Sequence, residues 1–172
     1  NDLISEIVAV YELQQKLAAK KDLKNLEKKK KIKSEKYFGA VGETQRLFIV
    51  EGDSASGGLI KCLGRKGNAF YAMKGVPLNV LQVTHQKFMA NKELSELYSI
   101  INTLDDVEIC IATDADADGN RICGLVTVFM NKYFPEKISE GKLRVLKTPL
   151  ALGRKGKEVK EWAYTFQEVN KI

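Results

Sequence analysis

Residue types that build many common sites are scarce in this sequence. It contains one histidine, His85, and three cysteines, Cys62, Cys110 and Cys123, and no two cysteines form a Cys-x-x-Cys pair. This composition excludes a disulfide framework and a zinc site as organising features. We therefore expect buried thiols in a reducing cytoplasm and a structural or surface role for His85.

Long apolar runs and the usual nucleotide-loop patterns are missing too. No stretch of about 18 apolar residues exists, which excludes a membrane-spanning helix, and no basic-then-apolar signal peptide begins the chain. The Walker lysine pattern and the spaced glycines of the dinucleotide fingerprint are also absent, so nucleotide loops of those kinds are not expected. Because the chain begins at Asn1 without an initiator Met, we expect it to be an excerpt of a longer protein.

Positive charge, in contrast, is abundant and unevenly distributed. The formal net charge is +6 and the pI is about 9.1. Residues 21–36 hold eight lysines against three acids, and residues 142–160 hold seven basic residues against Glu158 alone. Either stretch alone is typical of a solvated surface. Two such stretches, on either side of the acid-rich segments described below, favour double-stranded DNA as a partner. Neutralising phosphates requires only positive charge in the right place.

The alternation of apolar patterns predicts an α/β fold behind a helical extension. Residues 2 to about 34 lack Pro and Gly, which favours one long helix or two helices broken near residues 20–22. We assign 1–38 to a basic helical connector and 39–172 to the main domain. Helices are predicted over 54–63, 84–90, 91–103 and 119–134. Strands are predicted over 47–50, 69–73, 107–112, 142–147 and 161–166, in a mainly parallel sheet with acids at the carboxyl ends of its strands.

One predicted strand, 107–112, ends in three alternating acids, Asp114, Asp116 and Asp118, followed by Gly119. If the backbone stays extended, the three carboxylates lie on one side, where they repel one another unless a cation sits among them. Hard oxygen ligands favour magnesium, manganese or calcium over zinc. A second predicted strand delivers Glu51 at its end in the same way.

Two simpler interpretations compete with a metal site. Asp-x-Asp-x-Asp-Gly also opens an EF-hand calcium loop, but that loop needs a preceding helix and a Glu at its twelfth position, where Leu125 stands. An acidic turn without a ligand is the other possibility. The second acidic strand end, at Glu51, decides against it.

Three segments in this order resemble the TOPRIM domain of type IIA DNA topoisomerases, the gyrase B and topoisomerase IV group. They are Glu51-Gly52-Asp53-Ser54-Ala55, then Met73-Lys74-Gly75 with Leu78-Asn79-Val80, then Thr113-Asp114-Ala115-Asp116-Ala117-Asp118-Gly119. The resemblance covers roughly residues 36–172. The spacing between the segments is most like that of T-even-type bacteriophage topoisomerases.

The resemblance implies a Rossmann-like TOPRIM domain that binds one or two Mg²⁺ ions, for which Mn²⁺ or Ca²⁺ can substitute. It assigns catalytic roles to Glu51, Asp114 and Asp116, and metal binding to the same three residues and Asp118. It further implies DNA contacts by a second set of residues, namely Asp53, Ser54, Lys74, Gly75 and Asn79. This chain departs from the family at Val76, where a second lysine is common, and at Arg121 and Cys123, where cellular enzymes carry His and Arg.

The implied reaction is ATP-dependent cleavage, passage and religation of double-stranded DNA. A tyrosine on another subunit or domain attacks the phosphodiester, and ATP binds in a domain outside this excerpt. None of the six tyrosines lies in a context that resembles the nucleophile. We therefore expect the excerpt alone to be inactive, and to work in a two-fold symmetric, cytoplasmic assembly, in the infected bacterium if it is phage-encoded.

Three other function classes remain open from the residues. A TOPRIM-type nuclease or primase shares the acids, but would act without a partner and should lack the segment from Met73 to Val80. A phosphatase with an aspartate nucleophile leaves the segment from Glu51 to Asp53 unexplained. A purely structural DNA-binding module would bind DNA without magnesium and survive loss of the carboxylates.

Overall fold

The computed structural model describes residues 2–27 and 34–171. Helices and strands alternate along most of the chain. The helices are α1 (Asp2–Glu27), α2 (Gly52–Leu63), α3 (His85–Ala90), α4 (Lys92–Thr103), α5 (Ala117–Tyr133), α6 (Pro135–Ser139) and α7 (Phe166–Val169). The strands are β1 (Tyr37–Phe38), β2 (Val41–Glu51), β3 (Lys66–Met73), β4 (Glu108–Ala112), β5 (Leu143–Val145), β6 (Ala151–Lys155) and β7 (Glu158–Ala163).

The central sheet has the strand order β1-β3-β2-β4-β5, and every neighbouring pair except β1 with β3 is parallel. Helices cover both faces. One face packs against α3, α4 and α5 around Ile49, Ile111 and Phe129, and the other packs against α2 around Val50 and Phe70. Strands that are buried on both faces are apolar throughout. For this reason, short apolar runs in the sequence predicted the positions of β2, β3 and β4. The predicted α/β fold with a mainly parallel sheet is confirmed.

Helix α1 is continuous through residues 20–22, which confirms one long helix over this part and excludes the alternative of two helices broken there. Much of its apolar stripe is exposed, including Ile7 and Leu17. Near its carboxyl end, Leu23 packs against the core and Asp22 lies 3.3 Å from the ring of His85. This contact between α1 and the start of α3 agrees with a structural role for His85. Residues 28–33, which hold most of the predicted lysine run, lie outside the described residues.

The carboxyl-terminal part differs most from the predictions. Strand β5 is shorter than expected, and β6 with β7 forms a separate antiparallel hairpin. Residues 151–155, outside any predicted strand, form β6, and the chain turns at Gly156 and Lys157. Cys62 is exposed rather than buried, whereas Cys110 is buried as expected. Within the described residues, no helix is long and apolar enough to cross a membrane.

Candidate metal and DNA site

Strands β2 and β4 end side by side at one edge of the sheet. Val50 pairs with Ala112 in parallel register, and Glu51, the last residue of β2, pairs with Met73 of β3 on its other side. Neighbouring strands lie about 4.8 Å apart. The topology therefore brings Glu51 close to the segment that begins at Asp114, as the sequence predicted.

Charge and burial act together on Glu51. Burial raises the pKa of its carboxyl group, and the negative charges of Asp116, Asp114 and Asp118 raise it further. Its Oε2 atom is buried and has no hydrogen-bond partner among the described residues. A buried acceptor without a partner is unfavourable, and a charged one beside three more acids is more so. This environment destabilises the ionised form of Glu51.

Hard oxygen donors around a buried, unpartnered carboxylate oxygen fit a magnesium-type ion. However, no three His, Cys, Asp or Glu side chains of residues 2–27 and 34–171 are arranged so that they hold an ion as they stand. Mutual repulsion opposes the closer approach of four carboxylates. The ligand set predicted from the sequence therefore stays a prediction, and it requires side-chain movement when a cation binds.

The junction from β4 to α5 is tightly packed. The Oδ1 atom of Asp116 accepts a hydrogen bond of 2.7 Å from the backbone N–H of Gly119, so Asp116 caps α5. A Cβ atom on Gly119 would lie only 2.1 Å from the backbone oxygen of Asp114. Only glycine fits there without rearrangement.

The acidic segment is not extended throughout. Helix α5 begins at Ala117 and places Asp118 in its first turn, so the condition for all three carboxylates to lie on one side is not met. Asp116, rather than Asp118, caps α5. A strand precedes the acids, which excludes an EF-hand.

The junction from β2 to α2 is built differently. Gly52 has φ +76°, a conformation that glycine adopts without strain, and no atom lies within 4 Å of a Cβ placed on it. The cap position is occupied by Glu51, whose side chain makes no capping hydrogen bond. Neither Asp53 nor Ser54 therefore occupies the cap position of α2. Asp53 instead forms an ion pair of 3.0 Å with Lys36.

The predicted DNA-contacting loop follows strand β3. Lys74 and Gly75 are exposed beyond Met73, the residue that pairs with Glu51. The backbone N–H of Lys74 donates a hydrogen bond to the Glu93 carboxylate. Asn79 uses its Oδ1 atom to accept a hydrogen bond of 3.1 Å from Leu81 N–H, which stabilises a turn. The loop thus presents Lys74 beside the acidic strand ends.

Two residues that hold this site together were missed by sequence analysis. Lys36 contacts Asp53, and Glu93 contacts the backbone of Lys74. Lys36 is the last lysine of a long basic run, so nothing in its spacing separated it from its neighbours. Glu93 lies in the first turn of α4, where an acid is expected for helix stability alone. Arg121 is exposed, and Cys123 is half-buried.

Comparisons with known proteins agree with this fold and these motifs. The profile of the Toprim domain matches residues 46–147. The chain is 30% identical over 135 residues to a DNA topoisomerase 4 subunit of Borreliella burgdorferi, covering 75% of this chain and 22% of that protein. It is 38% identical over 122 residues to the corresponding DNA topoisomerase 4 subunit of Caulobacter vibrioides, covering 65% of this chain and 18% of that protein.

A solved structure shows the same fold. The chain superposes with a TM-score of 0.71 and 25% identity on a Plasmodium falciparum structure described as the topoisomerase II DNA-binding, cleavage and re-ligation domain, covering 82% of this chain and 22% of that one. The chain thus spans about a fifth of the length of these relatives. The similarity to T-even-type phage enzymes stays a prediction. On the profile match and the shared fold, the chain belongs to the Toprim domain family.

Proposed function

We propose that this chain is the magnesium-binding Toprim part of a type IIA DNA topoisomerase that cleaves and religates double-stranded DNA. The observation that carries the proposal is the buried, unpartnered Oε2 atom of Glu51, which lies within the electrostatic influence of three aspartates at the carboxyl end of a parallel sheet. The relatives' names, which describe them as DNA topoisomerase 4 subunits, support the same reaction.

In this proposal the acids have unequal roles. Glu51 and Asp114 would hold one magnesium ion, and Asp114 and Asp116 a second. Asp116 has one carboxylate oxygen engaged in capping α5, which leaves the other for an ion. Asp118 would be a peripheral ligand, because its place in the first turn of α5 is also favourable for the helix dipole. Bound magnesium would stabilise negative charge on the phosphoryl oxygens and on the leaving 3′-oxygen.

The chain's own groups would position the DNA. Two places would contact the DNA backbone. One is the exposed loop after β3, through Lys74 and Gly75, and the other is the start of α2, through Asp53 and Ser54. Asn79 would shape that loop through its turn. The raised pKa of Glu51 also suits a carboxyl group that transfers a proton during religation.

The remaining components would come from outside this chain. A tyrosine on another subunit or domain would attack the phosphodiester, and ATP would bind elsewhere in a two-fold symmetric assembly. This chain alone would therefore bind DNA without cleaving it.

The direct test adds the tyrosine-bearing partner and measures magnesium-dependent cleavage. Glu51→Gln and Asp114→Asn should each reduce cleavage on the order of 100-fold or more, because metal-ion stabilisation of the transition state is worth several kcal/mol. Glu43→Gln, on the same strand but at its opposite, exposed end, should leave cleavage unchanged. Undiminished cleavage in both site variants would exclude the assigned mechanism. Cleavage without any partner would favour the nuclease alternative.

A second test reads metal binding without DNA. Magnesium at about 100 times its Kd stabilises a folded protein by about 2.7 kcal/mol, which raises the unfolding midpoint by roughly 5–10 °C for a chain of this size. We expect this shift for the native sequence and for Glu43→Gln. Glu51→Gln should be more stable than the native protein in EDTA, because it removes a disfavoured buried charge, and should gain little from magnesium. Equal magnesium shifts in all three proteins would argue against Glu51 as a ligand.

A further inference from the structure

The hairpin of β6 and β7 and the residues after it present large apolar side chains to solvent. Trp162 is 55% exposed, and Phe166 is 79% exposed. Leu152 lies directly opposite Trp162 in the hairpin, so the two side chains share one face. Neighbouring exposed apolar groups of this size are typical of an interaction surface.

A cavity of about 480 Å³ lies between this region and the candidate metal site. Its lining includes Asp114 and Asn120 on one side, and Lys147, Tyr164 and Phe166 on the other. The hydroxyl of Thr148, another lining residue, donates a hydrogen bond of 3.3 Å to the backbone oxygen of Thr113. The cavity is therefore joined to the end of β4 and shares Asp114 with the metal site.

One cation, Lys147, lines the cavity, together with the carboxylate of Asp114. The ammonium group of Lys147 lies 5.0 Å from the centroid of the Tyr164 ring, in cation–π range. Arg154, Lys155 and Lys157 are exposed on the hairpin. Aromatic rings combined with positive charge are what proteins use to bind single-stranded nucleic acid, since bases stack on the rings and phosphates pair with the cations.

We propose that this cavity binds an unpaired nucleotide of a DNA strand, with its base against Tyr164 and Phe166 and its phosphate near Lys147. Its volume lies within the range of roughly 300–1,000 Å³ that is typical of small-ligand sites. A base inside an intact duplex cannot reach the rings, so the site selects frayed, gapped or single-stranded DNA. The functional importance of a nucleotide site beside Asp114 rests on the proposed function. Binding of the nucleotide itself needs neither magnesium nor cleavage.

A competing occupant is an apolar segment of a partner protein. Lys147 at the cavity and the exposed Arg154, Lys155 and Lys157 on the hairpin favour DNA. The other basic residues of this stretch, Lys142, Arg144 and Lys160, already pair with acids. A partner protein would need a matching acidic rim, whereas a DNA strand carries a negative charge at every phosphate.

The test uses the intact chain in EDTA, without a partner. The probes are a short fluorescein-labelled oligothymidylate and a blunt duplex of equal length with the same label. We expect the single strand to bind more tightly than the duplex when binding is followed by fluorescence anisotropy. Stacking is worth about 1–3 kcal/mol per base, so Tyr164→Ala and Phe166→Ala should each weaken binding of the single strand roughly 5- to 150-fold.

Matched variants separate stacking from folding. Tyr164→Phe keeps the ring and should retain most of the affinity. Lys147→Ala removes one cation that pairs with a phosphate, so it should reduce the slope of log affinity against log salt concentration by about 1. Tyr11→Ala removes an exposed tyrosine from α1, away from the cavity, and should leave binding unchanged. Phe166 is so exposed that its loss should not affect folding, which the unfolding midpoint checks.

Three results would overturn the proposal. Tyr164→Ala and Phe166→Ala could bind the oligonucleotide as tightly as Tyr11→Ala does. The duplex could bind as tightly as the single strand and lose the same affinity in Tyr164→Ala. Alternatively, Tyr164→Ala could weaken binding of the tyrosine-bearing partner while oligonucleotide binding stays intact, which would assign the cavity to a protein partner. Because no arm of the test measures cleavage or metal binding, its failure is distinguishable from failure of the proposed function.

Discussion

Strands β2 and β4 both lead into a helix at the candidate site, but the two junctions are held by different means. The β4–α5 junction combines a side-chain cap from Asp116 with direct contact between Gly119 and the backbone of Asp114. The β2–α2 junction depends on the backbone conformation of Gly52 and on an ion pair between Lys36 and the exposed Asp53. Contacts at the β4–α5 junction hold the backbone of Asp114 and one carboxylate oxygen of Asp116, whereas the open space at the β2–α2 junction lies at the Cβ position of Gly52. The difference implies that substitutions of the two glycines destabilise the protein by different mechanisms.

The largest effect is expected for Gly119→Ala. Its new Cβ would clash with the Asp114 backbone at 2.1 Å, and overpacking of this kind costs about 1–3 kcal/mol or more. Chemical denaturation should show the loss, and magnesium-dependent stabilisation should fall because Asp114 is displaced. Gly124→Ala is the matched control, since it lies in the same helix with no atom within 4 Å of its Cβ position. It should stabilise α5 by roughly 0.5–1 kcal/mol. A harmless Gly119→Ala would show that the junction is not tightly packed.

Gly52→Ala tests the other junction and should have the next largest effect. No clash is expected, so the cost is that of a left-handed backbone in a residue with a Cβ, about 1–2 kcal/mol. Gly58→Ala, inside α2 and also in open space, should be neutral or stabilising. Denaturation curves of the two variants measure the difference. If Gly52→Ala matched the cost of Gly119→Ala, the contrast between the junctions would disappear.

Substitutions of Asp116 distinguish capping from charge. Asp116→Ala should cost about 1 kcal/mol of unfolding free energy because α5 loses its cap. Asp116→Asn keeps a good capping side chain and should cost much less. Both should weaken the stabilisation by magnesium, which thermal unfolding with and without the ion measures. Equal destabilisation by Ala and Asn would show that the charge of Asp116, rather than its cap, holds the junction.

The smallest effect is expected for the pair of Lys36 and Asp53. Asp53 is 69% exposed, and exposed ion pairs contribute about 0.2–1 kcal/mol. A double-mutant cycle of Lys36→Met and Asp53→Asn should give a coupling energy in that range, and the coupling should decline as salt is added. A larger coupling energy that does not change with salt would contradict this expectation. It would mean that the ion pair stabilises the β2–α2 junction as strongly as packing stabilises the β4–α5 junction.

Much of the fold was predictable because burial leaves a plain pattern in the sequence. Strands β2 and β4 were found from apolar runs that are covered on both faces, and the parallel arrangement then required Glu51 and Asp114 to emerge together. The helices predicted over 84–90 and 91–103 follow local patterns, and the structure has both as α3 and α4. These predictions depended on neighbours along the chain or on a single rule of topology.

The features that escaped prediction depend on contacts between distant segments. Strand β6 is exposed and interrupted by Gly153, so it lacked the apolar pattern of a strand. The pairing of Lys36 with Asp53 joins residues 17 positions apart. Gly119 was recognised as the start of a helix, but its clash with Asp114 arises from three-dimensional packing. How closely the carboxylates of the candidate site approach one another is likewise decided by side-chain positions rather than by spacing.

Helix α1 has a mechanical consequence of its own. Between its described beginning and Asp22, where it meets His85, it extends about 30 Å. Its final turns pack against α4, so its carboxyl end is anchored. A tilt of about ten degrees at this anchored end would move the other end of the helix by about 5 Å. Conversely, a large movement of that other end would reach α4, and through Glu93 the Lys74 loop, as a much smaller displacement.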